Sequence, residues 1–261
     1  MDRNKTILVL GFLLLAVTAW AFYYFLTHTG EETPSPPPPS FDTEARSPFI
    51  SRFVSQIVFD PDKPGVLYVA VVEQGIFRSP DKGKNWVHLS ADFQNLMIYQ
   101  LMLNPRDSDH LYAGTYGSGV FQSLDGGSSW SATNTGLTNT SVEALSFHPH
   151  EADILYLATT GGGFFKSLDG GKTWFAYNEG LPDWDHNHTQ TFLAFKKTGE
   201  LLFGNYQGLF LRQEADPRSK NSSPPWTRVE IAPDDAAVTF FFKDPVSNRF
   251  YLSTRKGNFY S

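Results

Sequence analysis

The chain has 261 residues, 41% hydrophobic and 15% aromatic, which is enough for a sizeable core, and a formal net charge of -6 at pH 7. That acidic balance, with no Lys/Arg cluster after residue 6, argues against binding a phosphate backbone, so no nucleic acid partner is expected. The lack of cysteine excludes disulfides, zinc–thiolate sites, cysteine nucleophiles and iron–sulfur clusters.

Thr6 to Leu26 is an uncharged run of 21 residues, close to the ~20 that cross a bilayer as a helix. Arg3 and Lys5 precede it, and Glu31 and Glu32 follow. The positive-inside preference makes residues 1–5 a cytoplasmic tip and 6–26 a transmembrane signal-anchor, with the remainder on the periplasmic or extracellular side. Ala19-Trp20-Ala21 has the small-x-small form of a cleavage site. The apolar run nevertheless continues to Leu26, beyond the roughly 7–15 residues of a signal-peptide core. Residues 27–40 form a stalk whose Thr33-Pro34-Ser35-Pro36-Pro37-Pro38-Pro39-Ser40 favours extended polyproline II, a stiff spacer or a ligand for a Pro-binding domain.

Residues 41–261 read as a repeat. Apolar runs that end near a proline, Val54 to Phe59, Ile98 to Leu103 and Val142 to Phe147, predict first strands. Val66 to Val71, His110 to Thr115 and Ile154 to Thr159 predict second strands, and Gly75 to Ser79, Gly119 to Ser123 and Gly163 to Ser167 third strands. An eight-residue phrase then turns into a fourth strand: Ser79-Pro80-Asp81-Lys82-Gly83-Lys84-Asn85-Trp86, Ser123-Leu124-Asp125-Gly126-Gly127-Ser128-Ser129-Trp130 and Ser167-Leu168-Asp169-Gly170-Gly171-Lys172-Thr173-Trp174, each 44 residues after the last. Leu201 to Phe210 and Phe250 to Phe259 repeat the second and third strands in two degenerate units, so the third-strand glycines Gly75, Gly119, Gly163, Gly208 and Gly257 number five units. Four short strands per period is the pattern of a propeller blade. The expected fold is all-β, a β-propeller of about five four-stranded blades, preceded by one N-terminal transmembrane helix.

The phrase resembles the Asp-box, or BNR repeat, of sialidases, sortilin-type receptors, xyloglucan-cleaving glycosidases and photosystem II stability/assembly factors. All three copies match Ser-x-Asp-x-Gly-x-x-Trp at Ser79, Asp81, Gly83 and Trp86, at Ser123, Asp125, Gly127 and Trp130, and at Ser167, Asp169, Gly171 and Trp174. Their expected role is structural: a buried carboxylate accepts backbone N–H groups, Gly supplies φ > 0 and Trp packs beneath the hairpin. The resemblance usually implies six, seven or ten blades. Either Phe41 to Ala45 supplies the fifth unit's fourth strand, or the chain is part of a larger ring.

In such propellers the loops between second and third strands and those entering each first strand share one face, opposite the Asp-box turns. The binding candidates on that face are Glu73, Tyr116, Trp184, Asp185, His186, His188, Tyr206 and Arg255, with Thr159, Thr160 and Asn139 nearby. Asp185, His186 and His188 suit a first-row ion, but they lack helical ligand spacing and read more simply as a solvated loop, so no metal or cofactor is expected. Phe49-Ile50-Ser51-Arg52 does not match the early sialidase motif. A glycosidase would draw on Glu73, Asp185 and Asp234, which sequence alone does not bring together. No catalytic residue is assigned. The expectation is a membrane-anchored, exported propeller that binds a protein as scaffold or assembly/stability factor, with a carbohydrate-active enzyme or glycan-binding module as the alternative.

Overall fold

The structure, a computed structural model, describes residues 53–89, 93, 95–181, 192–195, 200–205, 208–214, 216–220, 225–230, 238–243, 250–254 and 257–260. The chain divides into two compact units, Met1–Arg46 and Ser47–Ser261, and every described residue belongs to the second. The expected anchor (6–26), the stalk (27–40) and the segment 41–45 lie outside the described residues. Among those described, no helix is long and apolar enough to cross a membrane.

β-Branched and aromatic runs punctuated by Pro and Gly fold as short antiparallel strands. The first sheet is β1 (Val54–Phe59), β2 (Leu67–Val71), β3 (Gly75–Ser79) and β4 (Val87–His88); the second is β5 (Ile98–Asn104), β6 (Asp107–Thr115), β7 (Gly119–Ser123) and β8 (Ser131–Ala132). The third is β9 (Val142–Phe147), β10 (Leu155–Thr159), β11 (Gly163–Ser167) and β12 (Phe175–Ala176). The fourth is β13 (Phe192–Phe195), β14 (Glu200–Asn205), β15 (Gly208–Gln213) and β16 (Thr227–Val229). The fifth holds three described strands, β17 (Val238–Lys243), β18 (Phe250–Thr254) and β19 (Gly257–Tyr260), so its expected fourth strand is not among the described residues. First strands of successive sheets lie side by side, from β1 against β5 to β13 against β17. The sheets therefore converge at their first strands and splay outward, as propeller blades do.

Apolar side chains fill the wedges between blades. Ile76, Phe93, Leu101 and Leu111 close the first wedge, Tyr112, Val142, Leu157 and Trp174 the second, and Tyr156, Phe164, Phe203 and Trp226 the third. Each such side chain contributes about 1.5–3 kcal/mol by leaving water.

The Asp-box turns show which group is buried. In the second copy, Ser123 Oγ accepts the Gly127 N–H at 2.8 Å and donates to Asp125 Oδ1 at 2.8 Å, while Oδ1 accepts the Ser129 N–H at 2.8 Å. Copies one and three repeat these bonds. The serines are buried, whereas Asp125 and Asp169 are exposed and Asp81 is half-exposed, which corrects the expected burial of the carboxylates. The physical reason is that a neutral hydroxyl costs less to desolvate than a carboxylate, which keeps part of its hydration while fastening the loop.

The Ser129 hydroxyl and N–H, followed by Ser123, hold Asp125 down at about 2 from 3.8. A carboxylate depressed on folding stabilises the native state above its unfolded value and loses that contribution as pH falls through the folded value. Asp125→Asn is therefore expected to lower the urea midpoint at pH 7, with the gap to wild type closing between pH 4 and 2; a gap that persists at pH 2 would contradict this.

Candidate functional site

One end of the propeller gathers the β2–β3, β6–β7 and β10–β11 hairpins with the segments that enter the first strands. Val72 N–H donates to Phe53 O at 2.9 Å, Tyr116 N–H to Met97 O at 2.9 Å and Thr160 N–H to Ser141 O at 2.8 Å. At the opposite end the Asp-box turns bond the start of the second strand or the turn before it, as Gly126 N–H does to Asp109 O and Gly170 N–H to Asp153 O, both at 2.8 Å. The first end is here called the mouth.

Glu73 and Tyr116 both stand exposed at the mouth, on the hairpins of blades 1 and 2. Glu73 has φ 60, a left-handed conformation that a non-glycine residue adopts rarely, and its N–H donates to Leu96 O at 3.1 Å. Thr159, expected among the exposed loop residues, is instead buried, with its hydroxyl donating to Gly163 O at 3.1 Å, and Thr115 does the same to Gly119 O at 2.9 Å. These threonines lock their hairpins. Trp184, Asp185, His186, His188, Tyr206 and Arg255 lie outside the described residues, as does Asp234. Among the described residues no group of three or more His, Asp or Glu side chains is placed to hold a metal ion.

The first strands carry a recurring irregularity that the sequence reading missed. Val54 pairs with Val71 and Gln56 with Ala70, which skips Ser55; Tyr99 and Glu143 are skipped in the same way in β5 and β9, and Thr239 in β17. A β-bulge re-aims the skipped residue and locally ends the pairing. Ser55, Tyr99 and Glu143 are 44 residues apart, so each occupies the same place at the mouth end of its inner strand. Neighbouring columns keep their chemistry, as Tyr68, Tyr112 and Tyr156 do, whereas this one changes from hydroxyl to phenol to carboxylate. That contrast between repeating and varying columns was the available signal.

The bulge side chains are braced. Gln56 Oε1 accepts the Leu101 N–H at 2.8 Å and Gln100 Nε2 donates to Glu143 O at 3.0 Å, tying successive inner strands together. Glu143 Oε1 accepts the Thr160 hydroxyl, and Asn139 Nδ2 holds Thr160 O at 2.8 Å. Half-buried Tyr99 stacks edge-on against Tyr116, with centroids 6.0 Å apart at 61°. Burial raises the Tyr99 phenol above its ordinary value, and the charges of Glu143 and Tyr116 add to the effect. The mouth thus offers two packed aromatic rings and, at the equivalent place on the adjacent inner strand, a carboxylate held by Thr160.

The profile of the Sortilin-Vps10 family (sortilin, neurotensin receptor 3) matches residues 74–205, just over half of the chain. The chain belongs to the Sortilin-Vps10 family. The match runs from the β2–β3 hairpin to the end of β14, so it contains all three Asp-boxes and most of the mouth residues described above. Compared with curated proteins, this Sortilin-Vps10 member matches none. Among solved structures it is similar to an ancestral GH74 enzyme, with a TM-score of 0.60 and 20% identity over 77% of this chain and 27% of the enzyme. It is also similar to YCF48 from Cyanidioschyzon merolae, with a TM-score of 0.54 and 14% identity over 78% of this chain and 64% of that one. YCF48 bound to D1 peptide gives a TM-score of 0.50 and 15% identity over 79% and 68%. The Sortilin-Vps10 chain therefore spans about a quarter of the length of the GH74 enzyme, and at these identities the likeness is one of fold.

Proposed function

We propose that the chain is a protein-binding propeller, a scaffold or assembly/stability factor, which engages its partner at the mouth and is held to a membrane by residues 6–26. The observation that carries this reading is the exposed Tyr116 ring braced by Tyr99 at the mouth end of rigid inner strands. Aromatic anchors on a preformed surface lose little conformational entropy on binding and dominate interface energies. A fold-level parallel supports it, since YCF48 carries a D1 peptide in one of the similar structures. The similarity to a GH74 enzyme keeps a glycan ligand as the second reading, for which Glu73 and Glu143 are the described carboxylates on the mouth side.

Affinity isolation of the full-length chain from detergent-solubilised membranes, followed by mass spectrometry, is expected to recover a companion protein that Tyr116→Ala releases. Recovery of no protein, with retention of a defined glycan instead, would overturn the reading in favour of the second.

A further inference from the structure

Resting on that protein-binding reading, we propose that Tyr99, Tyr116 and Glu143 form a subsite that receives one lysine or arginine side chain of a polypeptide partner.

Three features converge on this chemistry. The bulges at Tyr99 and Glu143 withdraw both residues from ladder pairing and place them at equivalent positions on adjacent inner strands, β5 and β9. Tyr116 meets Tyr99 edge-on from the β6–β7 hairpin and is 41% exposed, enough to leave ring surface for a ligand. Glu143 is oriented by the Thr160 hydroxyl, whose own backbone is clamped by Asn139, so the carboxylate is pre-positioned rather than ordered on binding.

Charge complementarity selects the occupant. A carboxylate beside electron-rich rings attracts a cation through both the ion pair and the ring quadrupole, and it repels a phosphate or carboxylate ligand. Glu73, exposed on the neighbouring hairpin, adds the same sign. At the Asp-box end, Lys63 bonds Asp109 at 2.5 Å and Arg218 bonds Glu151 at 2.7 Å, so these two cations are already held by carboxylates of the neighbouring blade.

The test is to pan a phage-displayed library of random dodecapeptides on the full-length, detergent-solubilised chain. Selected peptides are expected to share an arginine or lysine whose replacement by citrulline or norleucine weakens binding about tenfold. Glu143→Gln, which keeps an acceptor for Thr160, is expected to weaken the same peptides by a similar factor without moving the melting temperature. Tyr116→Leu is expected to weaken them about three- to tenfold through loss of the ring face. Asp62→Asn removes one charge from an exposed turn at the Asp-box end and is expected to stay within about twofold. Selected peptides that share no cation, or that respond equally to Glu143→Gln and Asp62→Asn, would overturn the subsite while leaving the protein-binding reading intact. Enrichment of no peptide would overturn that reading and the subsite with it.

Discussion

Glu214→Ala is expected to lower the free energy of unfolding by about 3–5 kcal/mol, because it strands a buried ammonium between blades 3 and 4. Lys166 Nζ lies 2.8 Å from Glu214 Oε1, and both side chains are essentially inaccessible to water. The Tyr177 hydroxyl donates to the same oxygen at 2.6 Å, and the Tyr156 hydroxyl donates to Oε2. Lys166 also sits over the Tyr177 ring at 4.8 Å, and the Arg212 guanidinium stacks on that ring at 3.7 Å. Burial pulls the Lys166 ammonium below its ordinary value, so the carboxylate is what keeps a charge tolerable there.

The blade 2–3 wedge explains why an acid stands at this place. There the Tyr112 hydroxyl, at 3.0 Å, and Gln122 Nε2 both donate to the backbone carbonyl of Gly170, inside the third Asp-box turn. Adding 44 to each number gives Tyr156, Lys166 and position 214. The fourth unit has no Asp-box phrase, and the Glu214 carboxylate supplies the acceptor that the Gly170 carbonyl supplies in the blade 2–3 wedge. Lys166→Met combined with Glu214→Gln, which removes both charges but keeps an acceptor for the tyrosines, is expected to recover more than half of the loss. Urea unfolding of the single and double variants measures this, and a single-variant loss under about 1 kcal/mol would show that the network does not organise the wedge.

Gly136→Ala is expected to cost at least about 3 kcal/mol, whereas Gly117→Ala costs about 1–2. Both glycines have φ +90, so the left-handed strain is common to the two. A Cβ at Gly117 meets nothing within 4 Å, but at Gly136 it would fall 2.0 Å from the Trp174 carbonyl oxygen. That contact is the seam between blades 2 and 3, where Trp174 N–H donates to Thr135 O at 2.8 Å and Trp174 Nε1 to Thr133 O at 2.9 Å. Blade 4 repeats it on blade 3: Trp226 N–H bonds Glu179 O and Trp226 Nε1 bonds Tyr177 O, both at 2.8 Å, and a Cβ at Gly180 would lie 2.5 Å from Trp226 O. Thermal or urea unfolding of the two alanine variants separates strain from overlap; equal losses would remove the seam from the explanation.

The strands were legible because their determinants are local. Val54–Phe59, Val142–Phe147 and the three glycine-led third strands have the bounds that alternation and Gly/Pro punctuation predict. Asn134-Thr135-Gly136-Leu137 and Asn178-Glu179-Gly180-Leu181, also 44 apart, went unread although they form the seams just described. Their meaning depends on a tryptophan from the following blade: the Asn134 side chain caps Val120 N–H at 2.8 Å, while Gly136 makes room for Trp174. At the mouth, Tyr116 and Glu73 were reachable by counting loops, whereas Tyr99 and Glu143 were hidden inside apolar runs that read as regular strand.

By itself the sequence determined the repeat, the strand order and the end of the propeller to which each turn belongs, because these follow from residue periodicity and backbone stereochemistry within each 44-residue unit. Tertiary structure alone decided which polar groups are buried, which residues the bulges release and which carboxylate replaces a missing turn. Those outcomes depend on pairing register and on contacts between units. Residues such as Glu214 and Lys166 therefore take their roles from neighbours that lie a whole blade away in sequence.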